Sequence, residues 1–248
     1  MASPSSHPPH PRSGFTLVEL LLVISIIAVL VSITIPALGS SRETSRRVKC
    51  LANLKGIGGG IAAYMNDSNE LLPRVRPLHA ANGNSNDPSL LDIMVVYLSV
   101  PEPEREDPND PNSFFTHVSD VFICPSDRVG RDPATNFEPL WRTSGCSYEY
   151  LAGEMMVFSE QLTVVDPQGS TTMVYKDPKW RDLPVLLDND DWHTGHRTGV
   201  PRNGVFFGDW HSDWAGNIVR FDSQDPRLLQ LTCDLIVNYG HRTFAGCN

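Results

Sequence analysis

The sequence predicts an α+β protein. One long N-terminal helix crosses a membrane and packs onto an antiparallel β-sheet, and the C-terminal part is rich in loops. Three observations predict this class. Residues 15–38 form an apolar run that contains one charged side chain, Glu19. Apolar residues then recur at three- and four-residue spacing as far as Met65, which indicates an amphipathic helix. The rest combines short β-branched segments with most of the twenty prolines and eighteen glycines.

The apolar run is long enough to span a bilayer. Its 24 residues would extend roughly 36 Å as a helix at about 1.5 Å per residue, against a hydrocarbon core of about 30 Å. Many of its residues are β-branched and would favour a strand in water. A single strand in lipid leaves its backbone polar groups unsatisfied, so we expect a helix.

Glu19 is the unusual residue of this run. A charged side chain inside the bilayer costs about 2.5–3.5 kcal/mol and is normally paired. The first helical turn holds no basic residue, and Arg12 lies outside the run. We therefore expect the partner of Glu19 to come from another molecule.

The segment Gly14-Phe-Thr-Leu-Val-Glu-Leu20, at the head of an apolar helix, resembles the N-terminus of type IV pilins and type II secretion pseudopilins. The resemblance implies cleavage between Gly14 and Phe15 by a prepilin peptidase and methylation of the new amine on Phe15. It also implies that Glu19 pairs with the N-terminal amine of a neighbouring subunit. Pro36 is expected to kink the helix near the membrane exit.

The same resemblance implies partners and a location. The partners are other pilin-like subunits, the prepilin peptidase, the inner-membrane assembly machinery and membrane lipid. The location is the bacterial inner membrane, crossed once, with the globular domain in the periplasm. The positive-inside rule favours the opposite orientation, because a basic cluster follows the span: Arg42, Arg46, Arg47 and Lys49. We give the leader motif more weight than this rule.

Two other interpretations of the N-terminus remain. An ordinary secretory signal would be cleaved near Ala37-Leu38-Gly39, but its apolar region would be shorter and would not contain Glu19. A plain membrane anchor leaves Glu19 unexplained. A secreted hydrolase with a conventional signal predicts cleavage near Gly39 and release into solution.

The predicted organisation has four parts: a leader at 1–14, a membrane and assembly helix at 15–38, its soluble continuation at 39–66 and a pilin-like globular domain at 67–248. Four glycines at 56–60 predict either a helix break or the close approach of a strand. A further helix is predicted over 90–98, ended by Pro101. Short strands are predicted at 121–124, 147–151, 162–166, 171–176, 204–208 and 216–221.

Charge and cysteine content limit the functions of the globular part. The chain has a net charge of −9, and after a basic stretch at 42–55 it is acidic. It therefore lacks the cationic surface that nucleic-acid binding needs. Five cysteines fit an oxidising compartment and leave at least one unpaired. Among the possible bridges we favour Cys233–Cys247, which would hold the C-terminal tail.

The densest polar cluster of the sequence runs over 188–196 and is followed by a second group at 207–211. It partly resembles the C-terminal motif of a bacterial pseudopilin-like group, in which a histidine precedes Asp-Gly-His. The corresponding residues here are His196 and Asp209, with a longer spacing and with Trp210 in place of the glycine. We expect a hairpin whose outgoing strand at 204–208 ends in a tight turn at 209–211.

Three roles are open for this cluster. His196 and Asp209 would form hydrogen bonds that hold the turn. Alternatively, oxygen ligands for calcium would come from Asp188, Asp190 and Asp191, although their spacing is not that of an EF-hand. Zinc is the third possibility, through side chains from both groups: His193, His196, His211 and Asp209.

The function predicted from the sequence is that of a pilin-like structural subunit, not an enzyme. It would be processed by a prepilin peptidase and assembled into a periplasmic pseudopilus or pilus-like fibre of a secretion system. No Gly-x-Ser-x-Gly elbow and no phosphate-binding loop occurs in the sequence. The alternative is a membrane-anchored extracytoplasmic binding module that does not polymerise.

Overall fold

The computed structural model describes residues 15–76, 87–110, 112–130, 133–193, 202–216, 225–240 and Cys247. The chain divides into two units, Met1–Thr44 and Ser45–Asn248. The predicted leader at 1–14 lies outside the described residues.

The described part of the first unit is helical. Helix α1 covers Leu17–Asp67 and contains Pro36. An 18-residue window of this helix reaches a mean hydropathy of 2.8, and none of that window is buried. By length and composition α1 is therefore able to cross a membrane, as the sequence predicts. The kink at Pro36 stays a prediction.

The second unit contains a four-stranded antiparallel sheet with the order β3-β4-β5-β6. Its strands are β3 (Tyr148–Tyr150), β4 (Pro184–Asp188), β5 (Asn203–Phe206) and β6 (Ser212–Trp214). Every residue of β4 and β5 is buried. A separate antiparallel pair is formed by β1 (Glu104–Arg105) and β2 (Phe115–His117). Helix and antiparallel sheet together confirm the predicted α+β class.

Among the described residues, five shorter helices accompany the sheets. They are α2 (Leu90–Leu98), α3 (Leu140–Ser144), α4 (Leu151–Gln161), α5 (Pro167–Lys176) and α6 (Pro226–Cys233). Short 3-10 turns lie at Asp120–Phe122, Pro133–Thr135 and Pro178–Trp180, and a π-helical turn lies at Asp234–Asn238. Helix α2 confirms the prediction for 90–98. Ser89 and Asp92 form a reciprocal capping box at its start.

The C-terminal part of α1 provides one wall of the core. Its buried residues recur at helical spacing and are Cys50, Asn53, Leu54, Ile57, Gly58, Gly60, Ile61 and Met65. The helix runs through the glycines without a break. A Cβ built at Gly58 would lie 2.9 Å from Cγ2 of Val205 on β5, so the bare glycine face admits this strand. The second of the two predictions for this segment is therefore the right one.

The strand predictions were partly wrong. The prediction for 147–151 corresponds to β3 and that for 204–208 to β5. Residues 121–124 overlap a 3-10 turn, residues 162–166 follow the end of α4, and residues 171–176 lie in α5. Strand β4 was missed, and β6 lies at Ser212–Trp214. Most of the predicted strand at 216–221 lies outside the described residues.

Helix α5 shows why β-branched content misled the prediction. Asp166 caps the helix by accepting a hydrogen bond from the amide of Gly169, and Pro167 occupies the first turn. Both are strong helix-start signals. Val174 and Tyr175 are then buried in the core, so tertiary packing outweighs their preference for strands.

Two disulfides are present. Cys233–Cys247 is the bridge favoured from the sequence, and Cys50–Cys124 joins α1 to the segment after the first 3-10 turn. Cys146 is a free, buried thiol. Burial raises the pKa of this thiol to about 12, so it stays protonated at neutral pH.

Candidate functional site

The carboxylate of Glu19 has a partner within its own chain. The amide and the hydroxyl of Thr16 donate hydrogen bonds to Oε2 of Glu19, at 2.9 Å and 2.7 Å. The amide of Glu19 donates in return to Oγ1 of Thr16 at 3.2 Å. This is a capping box at the start of α1. These uncharged partners in the same turn were not predicted, whereas a cationic partner of Glu19 from another molecule stays a prediction.

The apolar run around Glu19 is exposed along its whole length. Phe15 and Leu17 expose 76% and 77% of their surface. Every residue from 15 to 38 is exposed. Side chains of this kind are stable in lipid or against other apolar helices and are unfavourable in water. The helix surface from 15 to 38 is therefore suited to contact with lipid or with apolar helices of other molecules.

The second candidate region is the hairpin of β5 and β6. His211 donates its amide to Oδ1 of Asp209 at 3.1 Å, and its Nδ1 lies 2.6 Å from the same oxygen. These bonds lower the pKa of the Asp209 carboxyl, because they favour its charged form. Asp209 thus holds the connection between β5 and β6, in which the turn covers 207–209 and not the predicted 209–211. His196, the other residue of the motif, lies outside the described residues, so its role stays a prediction.

A buried polar chain connects this hairpin to α1 and β4. Asn203 at the start of β5 donates its amide and its Nδ2 to Oδ2 of Asp188, at 2.8 Å and 2.7 Å. Its Oδ1 accepts a hydrogen bond from Nε of Arg47 at 3.0 Å. Arg47 also lies over the ring of Trp214 and 3.4 Å from Oδ1 of Asp213. One basic residue of α1 therefore holds two strands of the hairpin.

Asp188 is the centre of a buried cluster. Burial raises the pKa of its carboxyl to about 6, while the hydrogen bonds from Asn203 lower it. Nε2 of His193 lies 3.6 Å from Oδ2 of Asp188 and 3.4 Å from Sγ of Cys124. The ligand atoms of Cys50, Cys124, Asp188 and His193 all lie within 4.8 Å of one another.

The structure does not bring together the described ligands of either metal site expected from the sequence. Among the described residues, Asp188, Asp190 and Asp191 do not come together as one ligand group, since the group that does form combines Asp188 with His193 and two cysteines. Calcium coordination by three aspartates is therefore not supported by the geometry. The predicted zinc set is also divided, because His193 is buried in this cluster while His211 is exposed in the hairpin turn.

A cleft of about 490 Å³ is lined by residues of the segments 127–144 and 189–192. Its lining combines acidic groups with apolar ones and includes Asp127, Glu138, Asp190 and Trp192. Asp127 accepts hydrogen bonds from the amides of Leu140 and Trp141 and from the hydroxyl of Ser147. A cleft of this size is in the range of small-molecule sites.

Comparison with known proteins agrees with the prediction made for the N-terminal segment. Residues 9–35 match the family described as the prokaryotic N-terminal methylation motif. The chain thus carries the signature of type IV pilins and pseudopilins on a long apolar N-terminal helix. This motif indicates a pilin-like structural protein that is processed by a prepilin peptidase. The motif and the helix fit a single-pass anchor in the inner membrane. No curated protein and no solved structure matches the chain.

Reasoning from the sequence missed several of these residues. Thr16 was overlooked although Thr-x-x-Glu at 16–19 is a capping-box pattern. Asn203, Cys50 and Cys124 were missed because their partners are far away in the chain. Asn203 and Asp188 are joined only when β5 pairs with β4, and no local pattern predicts that pairing.

Proposed function

We propose that this protein is a pilin-like subunit of a periplasmic pseudopilus or pilus-like fibre of a secretion system. Its maturation would be cleavage after Gly14 and methylation of the amine of Phe15. Its assembly would bring Glu19 to the amine of a neighbouring subunit. The methylation motif at 9–35, placed on an exposed apolar helix, is the observation that carries the proposal.

The carboxylate of Glu19 needs a partner that lipid cannot provide. Lipid satisfies the apolar surface of residues 15–38, but it does not satisfy a carboxylate. Thr16 supplies hydrogen bonds to Glu19 and leaves its charge uncompensated. A charged amine from a second subunit would supply the missing charge at a defined axial offset. In a medium of low dielectric constant such a pair sets the register between packed helices.

The placement of Arg47 weakens one argument against a periplasmic globular domain. The positive-inside rule counts this residue among the cations that would stay in the cytoplasm. Arg47 is instead partly buried, and it contacts Asn203, Asp213 and Trp214 of the second unit. A cation that is used in folding the domain is a weak signal for orientation in the membrane.

The processing step is tested by mass spectrometry of the mature N-terminus. We expect methylated Phe15 as the first residue. Gly14→Val should leave the uncleaved precursor in the membrane. Gly39→Val is the matched control, because a Cβ at Gly39 meets nothing within 4 Å, and it should be processed normally. A mature chain that begins near Ser40 would overturn the proposal in favour of an ordinary secretory signal.

The assembly step is tested by cross-linking in membranes. Glu19→Gln should be cleaved and inserted normally but form at least about tenfold fewer cross-linked oligomers, since loss of about 1.4 kcal/mol of contact energy is already tenfold. Glu43→Gln removes a carboxylate from the same helix beyond the apolar run and should assemble normally. Glu19→Val should insert at least as readily as the wild type, because it lacks the charged group.

Unchanged oligomers in both Glu19 variants would contradict the assembly role. The second candidate function, an anchored binding module that does not polymerise, would then be preferred. The observation that favours it is the cleft lined by Asp127, Glu138, Asp190 and Trp192.

A further inference from the structure

Four potential metal ligands converge inside the second unit from three separate parts of the chain. Cys50 lies on α1, Cys124 follows the 3-10 turn Asp120–Phe122, Asp188 ends β4, and His193 follows five residues later. All four side chains are 0% exposed. Their ligand atoms lie within 4.8 Å of one another, and no other such group occurs among the described residues.

The cluster contains a buried oxygen that no described group satisfies. Oδ2 of Asp188 accepts two hydrogen bonds from Asn203, whereas Oδ1 accepts none from the described part of the chain. An unsatisfied buried carboxylate oxygen is costly. A cation in the cluster would compensate this cost directly, and the other three residues offer two sulfurs and an imidazole nitrogen as further ligand atoms.

We propose that the reduced chain binds one Zn²⁺ through Cys50, Cys124, His193 and Asp188. Two thiolates, one imidazole and one carboxylate form a four-ligand set that suits tetrahedral zinc, and the sulfur ligands disfavour calcium and magnesium. This site goes beyond the proposed function in assembly. It also differs from the zinc set expected from the sequence, with which it shares only His193.

The disulfide and the metal exclude each other. An external dithiol breaks the Cys50–Cys124 bond by exchange: it passes two electrons and two protons to the two sulfurs and is itself oxidised to a disulfide. Metal binding then releases the two thiol protons to solvent and forms two sulfur–zinc bonds. Reoxidation by a disulfide of the same class reverses both steps and expels the ion.

The surroundings of the ligands support the site. Asn203 holds the carboxylate of Asp188, and Arg47 in turn holds Asn203. Outer-shell hydrogen bonds of this kind orient metal ligands. The metal would join the same two segments as the disulfide, so α1 stays linked to the segment at 124 in either redox state.

The experiment uses the full chain in detergent, treated with a phosphine reductant and a chelator, and then titrated with Co²⁺ and with Zn²⁺. We expect one ion per reduced chain and none per oxidised chain. Bound cobalt should show the visible absorption of a tetrahedral site together with thiolate-to-cobalt charge transfer. Zinc should displace it. A reduced chain that takes up no stoichiometric ion would overturn the proposal.

Matched double variants locate the site. Cys50→Ser with Cys124→Ser should abolish binding, whereas Cys233→Ser with Cys247→Ser, which removes the other bridge, should retain it. Cys146→Ser should also retain it. A cobalt spectrum that is unchanged in the first double variant would assign the ion elsewhere and overturn the proposal.

A milder variant covers the case in which the first double variant does not fold. Asp188→Asn keeps both cysteines and the size of the side chain but removes the negative oxygen ligand. Its affinity for Zn²⁺ should fall at least about tenfold, since loss of outer-shell partners alone costs about 10–100-fold. Unaltered affinity in a folded Asp188→Asn chain would contradict the proposed ligand set.

Discussion

At the residue scale, Glu19 and Thr16 decide how the N-terminal helix begins. Two hydrogen bonds from Thr16 hold the carboxylate of Glu19, so it has a preferred position before any neighbouring subunit arrives. A fixed carboxylate loses less conformational entropy on pairing than a mobile one. The capping box and the proposed assembly contact are therefore compatible, because the first orients the group that the second neutralises.

Asp127 gives a prediction at the residue scale. Burial raises the pKa of its carboxyl, although hydrogen bonds from Ser147 and from the amides of Leu140 and Trp141 act in the opposite direction. The folded state thus holds this proton more tightly than the unfolded state, whose aspartate pKa is about 3.9. The contribution of Asp127 to the free energy of unfolding is then fully present below about pH 3.9. It is lost as the pH rises through the raised pKa of the folded state.

The measurement is chemical denaturation of wild type and Asp127→Asn across this pH range. The difference in free energy of unfolding, wild type minus variant, should fall as the pH rises. Ser147→Ala removes a hydrogen bond that favours the charged form, so in this variant the fall should extend to higher pH. A difference that grows with pH would contradict the direction of the shift.

At the scale of elements, the glycines of α1 serve two different purposes. Gly58 faces β5 and the hairpin turn, where a Cβ would lie 2.9 Å from Val205 and 3.1 Å from Trp210. A Cβ at Gly59 meets nothing within 4 Å. The two neighbouring positions therefore separate helix propensity from packing.

Alanine substitutions at these positions should act in opposite directions. Gly59→Ala should raise the free energy of unfolding by up to about 1 kcal/mol, because alanine is the better helix former. Gly58→Ala should lower it by roughly 1–3 kcal/mol, the usual cost of overpacking. Denaturant titration of both variants in the same detergent checks this. A stabilised Gly58→Ala would show that β5 moves away without cost.

For the whole molecule, the two disulfides are expected to contribute unequally. Cys50–Cys124 spans 74 residues of sequence and Cys233–Cys247 spans 14. On the loop-entropy account the longer loop is worth about 4.4 kcal/mol and the shorter about 3 kcal/mol. In the oxidised protein, Cys50→Ser with Cys124→Ser should lower the unfolding midpoint more than Cys233→Ser with Cys247→Ser. Equal or reversed losses in denaturant titrations would contradict this ranking.

The N-terminal part of the molecule was predictable because its physics is local. The apolar composition of residues 15–38, the isolated Glu19 and the Gly14-Phe15 junction are properties of consecutive residues, and lipid permits only a helix for such a run. The match of residues 9–35 to the methylation motif agrees with this prediction. The helix 90–98 was predictable for the same reason, since its capping box and its terminating residues are adjacent in sequence.

The tertiary structure decided the rest. Strand β4 is buried on both faces, so its sequence lacks the alternation that marks a half-exposed strand. Thr171 and Val174 favour strands locally but lie in a helix because the core accepts them there. Cys50, Cys124, Asp188 and His193 come together only after α1 and the sheet have packed. Bringing these four residues together requires closing loops of many residues, which no local pattern predicts. The sequence by itself determined the N-terminal helix, because the interactions that form this helix lie within one or two turns.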